Sequence, residues 1–376
     1  MRRFIPLHKP HIADNQLKYI ADAMDIGKLS SLGKYTELCE TFFKEYFNGS
    51  TCLLTHSCTD ALELIALLID IKSGDEVIVP SFTFVSTANA FMLRGANIVW
   101  ADSQSDHPNV SIEHIQTLIN SKTKAIVVVH YAGLSIDMDA LMSLCILHKI
   151  ILIEDAAQAL HSKYRGRRIG TMGHLATFSF HDTKPISCGE GGLLVINDST
   201  YVAQAYRFLE KGTDRHAFLQ GLVNQYQWMS LGSSFAASQL QAACLYAQLE
   251  EINWVFSKRK LLWARYVELL NVPQNKVNYR LPKLVDYSEN NTSIFYLEIL
   301  DAKKRNELIV FMNERGVAAS FHYLALHKSP MVKKLATMQL PYSEYWTDHL
   351  LRLPIHTFLD FEEVDYVVSK LKEFFI

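Results

Sequence analysis

The sequence predicts an α/β protein with a large domain on a mostly parallel sheet, followed by a small C-terminal α+β domain. Three observations predict it. Between about residues 50 and 200, short apolar runs rich in β-branched residues alternate with helical patterns, the signature of strands buried on both faces and joined by helical crossovers. From about 234 to 270 the spacing of Leu240, Ala243, Cys244 and Ala247 turns helical, and a shorter strand and helix pattern follows. Finally, 376 residues of which 49% are hydrophobic and 20% charged suffice for a sizeable core and two or three domains.

In chain order, Leu53-Leu54-Thr55 reads as a strand that passes through small polar residues into a helix over Thr59 to Asp70. Strands follow at Val77–Val79, Ile98–Trp100 and Ala125–Val129, then a helix over Asp137 to Lys149 and strands at Ile150–Ile153 and Leu193–Ile196. The helical stretch from 234 to 270 connects to a strand (Ser293 to Leu300) and to a helix (Lys303 to Arg315) stopped by Gly316. A strand (Ala318 to Tyr323) and a terminal helix (Phe361 to Phe374) complete the pattern. The division this implies is 1–235 for the large domain and 236–376 for the connector and small domain.

Composition excludes several functions. With 37 Lys+Arg against 39 Asp+Glu, the net charge of −2 offers no cationic excess for a nucleic-acid backbone. Six scattered cysteines without a C-x-x-C pair read as free thiols of a reducing compartment. No apolar run follows Met1-Arg2-Arg3, and none elsewhere is long enough for a membrane span, so a cytoplasmic protein is expected. Gly27 to Tyr35 fails as a phosphate loop, having five residues between its glycines and Tyr35 where Ser or Thr must hold magnesium. No G-x-G-x-x-G follows a strand, and the close pairs His8/His11 and His322/His327 lack the further ligands that a metal site requires, so no metal is expected.

Three segments carry chemistry, each with two readings. In Ile153-Glu154-Asp155-Ala156-Ala157-Gln158 a strand ends in two acids, so Asp155 is either a site carboxylate at a sheet's carboxyl edge or a helix N-cap. Lys184 stands between the β-rich run from Ala176 and the glycine-rich Gly189-Glu190-Gly191-Gly192; it is either an amine beside a bound group or a solvated lysine, and the glycines a turn. Ser57-Cys58-Thr59 opens a helix whose first amides can bind phosphate, while Ser57 with Asp60 also fits an ordinary cap.

Taken in order, S-C-T before a helix, P-S-F-T-F-V-S-T-A-N, E-D-A-A-Q, F-S-F-H-x-x-K and G-E-G-G resemble the sugar aminotransferases of the DegT/DnrJ/EryC1/StrS family, pyridoxal-phosphate enzymes of fold type I, the aspartate aminotransferase-like fold. The resemblance runs the length of the chain. It implies that Lys184 is the lysine joined covalently to pyridoxal 5'-phosphate, Asp155 the acid facing the pyridine nitrogen, and Gln158 the residue beside the ring oxygen. It likewise implies that Phe84 stacks on the ring and that the backbone of Cys58 and Thr59, with the Ser179 hydroxyl, cradles the phosphate. Many members carry an Asn and then a basic residue on a loop that reaches the neighbouring subunit's phosphate; here Ser234 and Ala236 stand there, leaving Ser234 one hydrogen bond to offer and no charge. Pro185 is a further departure. In Phe321-His322-Tyr323, His322 is the expected substrate contact, or else a histidine satisfied within the small domain.

The reaction so implied moves an amino group from L-glutamate, through pyridoxamine phosphate, to the keto carbon of a nucleotide-linked deoxysugar, in a homodimer with shared active sites. The segments T-F-V-S-T-A-N-A-F, V-H-Y-A-G, G-S-S-F and F-H-Y-x-x-L-H are most similar to members that aminate TDP-4-oxo-6-deoxy-D-glucose to the 4-amino-4,6-dideoxy-D-galactose nucleotide. The alternatives are a 3-keto-sugar transaminase and a non-catalytic regulator that keeps the cofactor.

Overall fold

The computed structural model describes residues 4–272, 278–335 and 338–376. Seven strands form the central sheet: β1 (Thr51–Thr55), β2 (Glu76–Pro80), β3 (Asn97–Ala101), β4 (Thr123–Val129), β5 (Ile151–Asp155), β6 (Leu175–Ser179) and β7 (Gly192–Ile196). Their order is β1-β7-β6-β5-β4-β2-β3. The pairs β2–β3, β2–β4, β4–β5 and β5–β6 are parallel, and β7 alone runs against its neighbours β6 and β1. The direction of β7 follows from its connection: only residues 180–191 separate it from β6, and no helix crosses the sheet between them.

Period-two alternation decides what each strand covers. Along β4, Ala125 and Val127 join one apolar cluster while Ile126 and Val128 join another, so both faces of the sheet are sealed. A strand buried in this way has no polar face. That is why its sequence is an unbroken apolar run.

The helices Gln239–Glu250 and Ile252–Leu270 lead away from this sheet. The expected single helical stretch from 234 is thus two helices that part at Glu251, and 234–238 is extended, ending at Ser238, whose hydroxyl caps the first helix in a reciprocal box with Gln241. Beyond them β8 (Tyr279–Arg280), β9 (Phe295–Ile299) and β10 (Leu350–Leu353) pair antiparallel in that order. Leu262, Leu297, Leu308, Leu351 and Val367 make the small core between this sheet and its helices, which include Ala302–Glu314 and Phe361–Phe375. Gly316 takes φ 75° just past the helix end, as its position predicts.

One expected strand is wrong. Residues 318–323 make only the single bridge Ser320 to Arg352, and the strand that pairs with β9 on that side is β10, which the sequence reading passed over. After Ser320 the chain turns away from the sheet edge to put His322 and Tyr323 in the cavity described below. The strand β10 is short, with Pro354 directly after it, so its apolar run was too brief to read. The N-terminal segment joins this domain through Ile5, whose amide donates to the Gly316 carbonyl at 2.8 Å and whose carbonyl accepts from Ala318 at 2.9 Å. No helix among the described residues is long and apolar enough to cross a membrane.

Against β1 lies the helix Lys34–Tyr46, whose Glu40 accepts a hydrogen bond from the Leu54 amide at 3.1 Å. Burial pushes this carboxyl up from 4.5 to about 7, the Leu54 hydrogen bond opposing it. The folded protein therefore holds a proton that the unfolded chain releases first, and stability falls as pH rises through 4.5 to 7. Glu40→Gln keeps the acceptor and removes the ionisation. Thermal denaturation should show the variant gaining on the parent at pH 8 relative to pH 4; equal differences at both would refute the assignment.

Candidate active site

At the carboxyl ends of β1, β4, β5 and β6, where an open α/β sheet offers its ligand crevice, lies a cavity of about 600 Å³. The small domain closes it with His322, Tyr323 and Arg352, and the N-terminal segment with Phe4 and His8. Cys58, Thr59, Phe84, Asp155, Gln158, Ser179, Lys184 and His322 all line it. Ser234 does not: it is exposed, on a stretch bridged to Glu210.

Asp155 ends β5 and is buried. One carboxylate oxygen accepts from the Thr87 hydroxyl at 2.8 Å and the other from the Ala157 amide at 3.2 Å. No helix begins at Asp155, so the N-cap reading fails. Burial raises its pKa, while the Thr87 and Ala157 hydrogen bonds and the charge of Lys184 pull it back. Thr87, itself bonded to Thr83 at 2.9 Å, was not singled out in the sequence, though it lies within P-S-F-T-F-V-S-T-A-N.

Lys184 is not a solvated surface lysine. It is partly buried, burial lowers its pKa, and among the described residues its amine makes neither an ion pair nor a hydrogen bond. The carboxylate of Asp155 acts on it through space without contact. A free amine and a carboxylate held apart in one cavity leave room for a flat group between them.

Ser57 settles the ambiguity of its segment by serving both purposes. Its hydroxyl caps the helix Cys58–Leu68 by accepting from the Asp60 amide at 3.0 Å, yet the amides of Cys58 and Thr59 find no acceptor among the described residues. Those two N–H groups, at the positive end of an eleven-residue helix, suit an anion. Burial pushes the Cys58 thiol up to about 12, so it stays protonated and unreactive. Gly192 is no turn residue: it is the first residue of β7, paired with Thr55 and Ser179, and a Cβ there would come within 2.3 Å of the Ser57 backbone. Glycine is what lets β7 run against the helix start.

The remaining wall is aromatic and polar. Gln158 accepts from the Ala132 amide at 2.7 Å and donates to the Tyr323 hydroxyl at 3.0 Å. Phe84 is 55% exposed, its ring centroid 6.1 Å from that of Tyr323, so it has a free face to stack. His322 shares a hydrogen bond with the Tyr131 hydroxyl at 3.0 Å, and burial, then the charges of Arg352 and Lys184, keep it neutral. It is both satisfied within the protein and exposed to the cavity. Arg352 and Tyr323 were missed in the sequence; Tyr323 had a signal in its neighbour His322, and Arg352 only the oddity of a charge within Leu350-Leu351-Arg352-Leu353.

These features fit pyridoxal phosphate: free helix amides for the phosphate, a buried carboxylate for the ring nitrogen, an open aromatic face and an unpaired amine. Residues 10–372 match the DegT/DnrJ/EryC1/StrS aminotransferase family. The chain is 31% identical to the GDP-perosamine synthase of Vibrio cholerae and 29% identical to that of Escherichia coli O157:H7, each alignment covering 99% of both chains. It superposes on the Helicobacter pylori aminotransferase PseC, involved in the biosynthesis of pseudoaminic acid, with a TM-score of 0.92, 25% identity and 99% coverage of both chains. The chain belongs to the DegT/DnrJ/EryC1/StrS family; it is a pyridoxal-phosphate-dependent sugar-nucleotide aminotransferase of fold type I.

Gly192→Ala should displace the start of the helix at Cys58, destabilising the fold by about 1–3 kcal/mol and weakening pyridoxal phosphate retention. Absorbance titration of the apo protein with pyridoxal phosphate checks it, and unchanged affinity would refute the cradle.

Proposed function

We propose that this member of the family transfers the amino group of L-glutamate to the keto carbon of TDP-4-oxo-6-deoxy-D-glucose, giving the 4-amino-4,6-dideoxy-D-galactose nucleotide. The observation that carries the transfer is the unpaired, partly buried amine of Lys184 in one cavity with the buried carboxylate of Asp155.

Pyridoxal phosphate, when bound, supplies an electron sink for negative charge on the substrate carbon. Burial enlarges the neutral fraction of Lys184, and the neutral amine is the form that attacks a carbonyl carbon and later accepts a proton. With its amine free, Lys184 would hold and deliver the proton at the substrate's reacting carbon as a positioned acid and base. Asp155 would face the ring nitrogen; a cationic partner there reverses the effect of burial and keeps the carboxylate ionised. Cys58, Thr59 and Ser179 would hold the phosphate, Gln158 the ring oxygen, and Phe84 the ring face, while His322 contacts substrate as a neutral hydrogen-bond partner.

A homodimer with shared active sites is supported by the stretch before Ser234, where Leu222, Trp228 and Leu231 are 72%, 76% and 65% exposed. Apolar side chains grouped in this way need a covering surface, and a second copy supplies one while bringing Ser234 to its cavity. All six thiols are free, which suits a cytoplasmic setting. A second reading, a GDP-linked acceptor, is favoured by the two relatives named GDP-perosamine synthases.

Incubation with glutamate and a panel of TDP-, GDP- and UDP-linked keto sugars, with the amino sugar identified by mass spectrometry and NMR, tests the substrate. Amination at C4 of the TDP sugar is expected; no amination of any 4-keto sugar overturns the assignment. Lys184→Ala should slow turnover by roughly 10⁴-fold, and undiminished turnover would overturn the mechanism.

A further inference from the structure

We infer that Phe4, at the rim of the cavity, is a stacking face for the nucleobase of the sugar-nucleotide substrate. The inference rests on the sugar-nucleotide reading and deepens it by assigning a subsite within the same cavity. Residues 4–8 are a fixed strap on the small domain. Ile5 forms a parallel bridge with Val317 and is buried in the small core, while the Leu7 carbonyl accepts from the Ile355 amide at 3.2 Å. Just beyond, the Lys9 ammonium stands 4.3 Å from the centroid of the Phe358 ring, and His11 bonds to Glu251 at 2.6 Å. Successive side chains of an extended segment point to opposite sides, so Ile5, turned into the core, sends Phe4 and Pro6 the other way, and both line the cavity.

Phe4 is 59% exposed and, among the described residues, joins none of the apolar clusters. A single exposed phenylalanine is ordinary on a protein surface. This one is fixed at the mouth of a deep cavity, where its open face meets whatever enters.

What enters there follows from the order of groups in the substrate. The keto carbon must reach Lys184 beside the buried Asp155. In a nucleotide-linked 4-keto sugar the diphosphate leaves the sugar ring on the side away from that carbon, so the nucleoside lies outward of the sugar, toward the rim. Other rim groups are polar and engaged: His181 pairs with Asp182 at 2.9 Å and stands 3.6 Å from Glu190. Of the phenyl and phenol rings that line the cavity, Phe84 would take the cofactor and Tyr323 is tied to Gln158. Phe4 is the one left free, and the base is the part of the substrate with a flat face to lay on it. Stacking tolerates any base, so the subsite supplies affinity to a thymine and a guanine alike.

Calorimetry on the pyridoxal-phosphate-loaded protein, with TDP, GDP and inorganic pyrophosphate as probes, tests this in the parent and in Phe4→Ala, Phe4→Leu and Phe4→Tyr. The expected result for Phe4→Ala is a Kd raised roughly 5- to 50-fold for both nucleotides, with pyrophosphate binding changed by less than about 2-fold and Phe4→Tyr restoring the parent values. Single-turnover absorbance should show the glutamate half-reaction changed by less than about 3-fold, since an amino acid carries no base. Nucleotide affinities unchanged in Phe4→Ala, or Phe4→Leu binding as tightly as the parent, would overturn the inference while leaving the functional reading intact. Equal losses for pyrophosphate and for the glutamate half-reaction, with a lowered melting temperature, would make Phe4 structural and overturn it too. Should the parent bind neither TDP nor GDP, the functional reading falls and the inference with it.

Discussion

The structure depends on keeping a partly buried amine and a buried carboxylate in each other's field but out of contact. Lys184 and Asp155 interact through space, and no ion pair joins them. Direct contact would satisfy both groups and leave neither for a ligand. Held apart, each is shifted by desolvation towards its neutral form, and a group that enters between them can be stabilised by both. The rest of the fold serves that separation.

Three backbone arrangements enforce it. Thr87 reaches from a neighbouring helix to hold one oxygen of Asp155, fixing the direction in which the other charge must approach. The one strand of the central sheet that runs against its neighbours, β7, returns the chain after Lys184 and starts, at Gly192, against the helix whose amides are free. The short return keeps Lys184 close to the strand end, and the missing side chain keeps the anion cradle in place. Across the cavity, Tyr323 is tied to Gln158, so a residue of the small domain and one of the large domain share a hydrogen bond at the site.

Polarity is unevenly distributed around the cavity. The large domain contributes the carboxylate, the free amides and the amine, the parts that would engage a cofactor. The small domain contributes Arg352, Tyr323 and a neutral His322, which face what reacts there. Shared cofactor chemistry with different substrates is what such a division permits, and it explains how relatives sharing this fold can carry names that specify different sugars.

The parallel sheet was legible because strands sealed on both faces are continuous apolar runs, and the chemistry-bearing segments were legible because each is a short motif of local backbone, S-C-T or E-D-A-A-Q, with its own physical signature. Local patterns left the two-way readings open: whether Asp155 caps a helix, or Lys184 meets water, depends on what packs above it. The false strand at 318–323 arose the same way, since an apolar, β-rich run is equally a strand and a cavity wall. The sequence by itself determined which side chains could do chemistry and on which kind of element each stands. Only the tertiary structure decided that Arg352, Thr87 and Tyr323 gather with Lys184 and Asp155 around one cavity, because residues so far apart in the chain are brought together by packing within the large domain and against the small one, which leaves no periodic trace in the sequence.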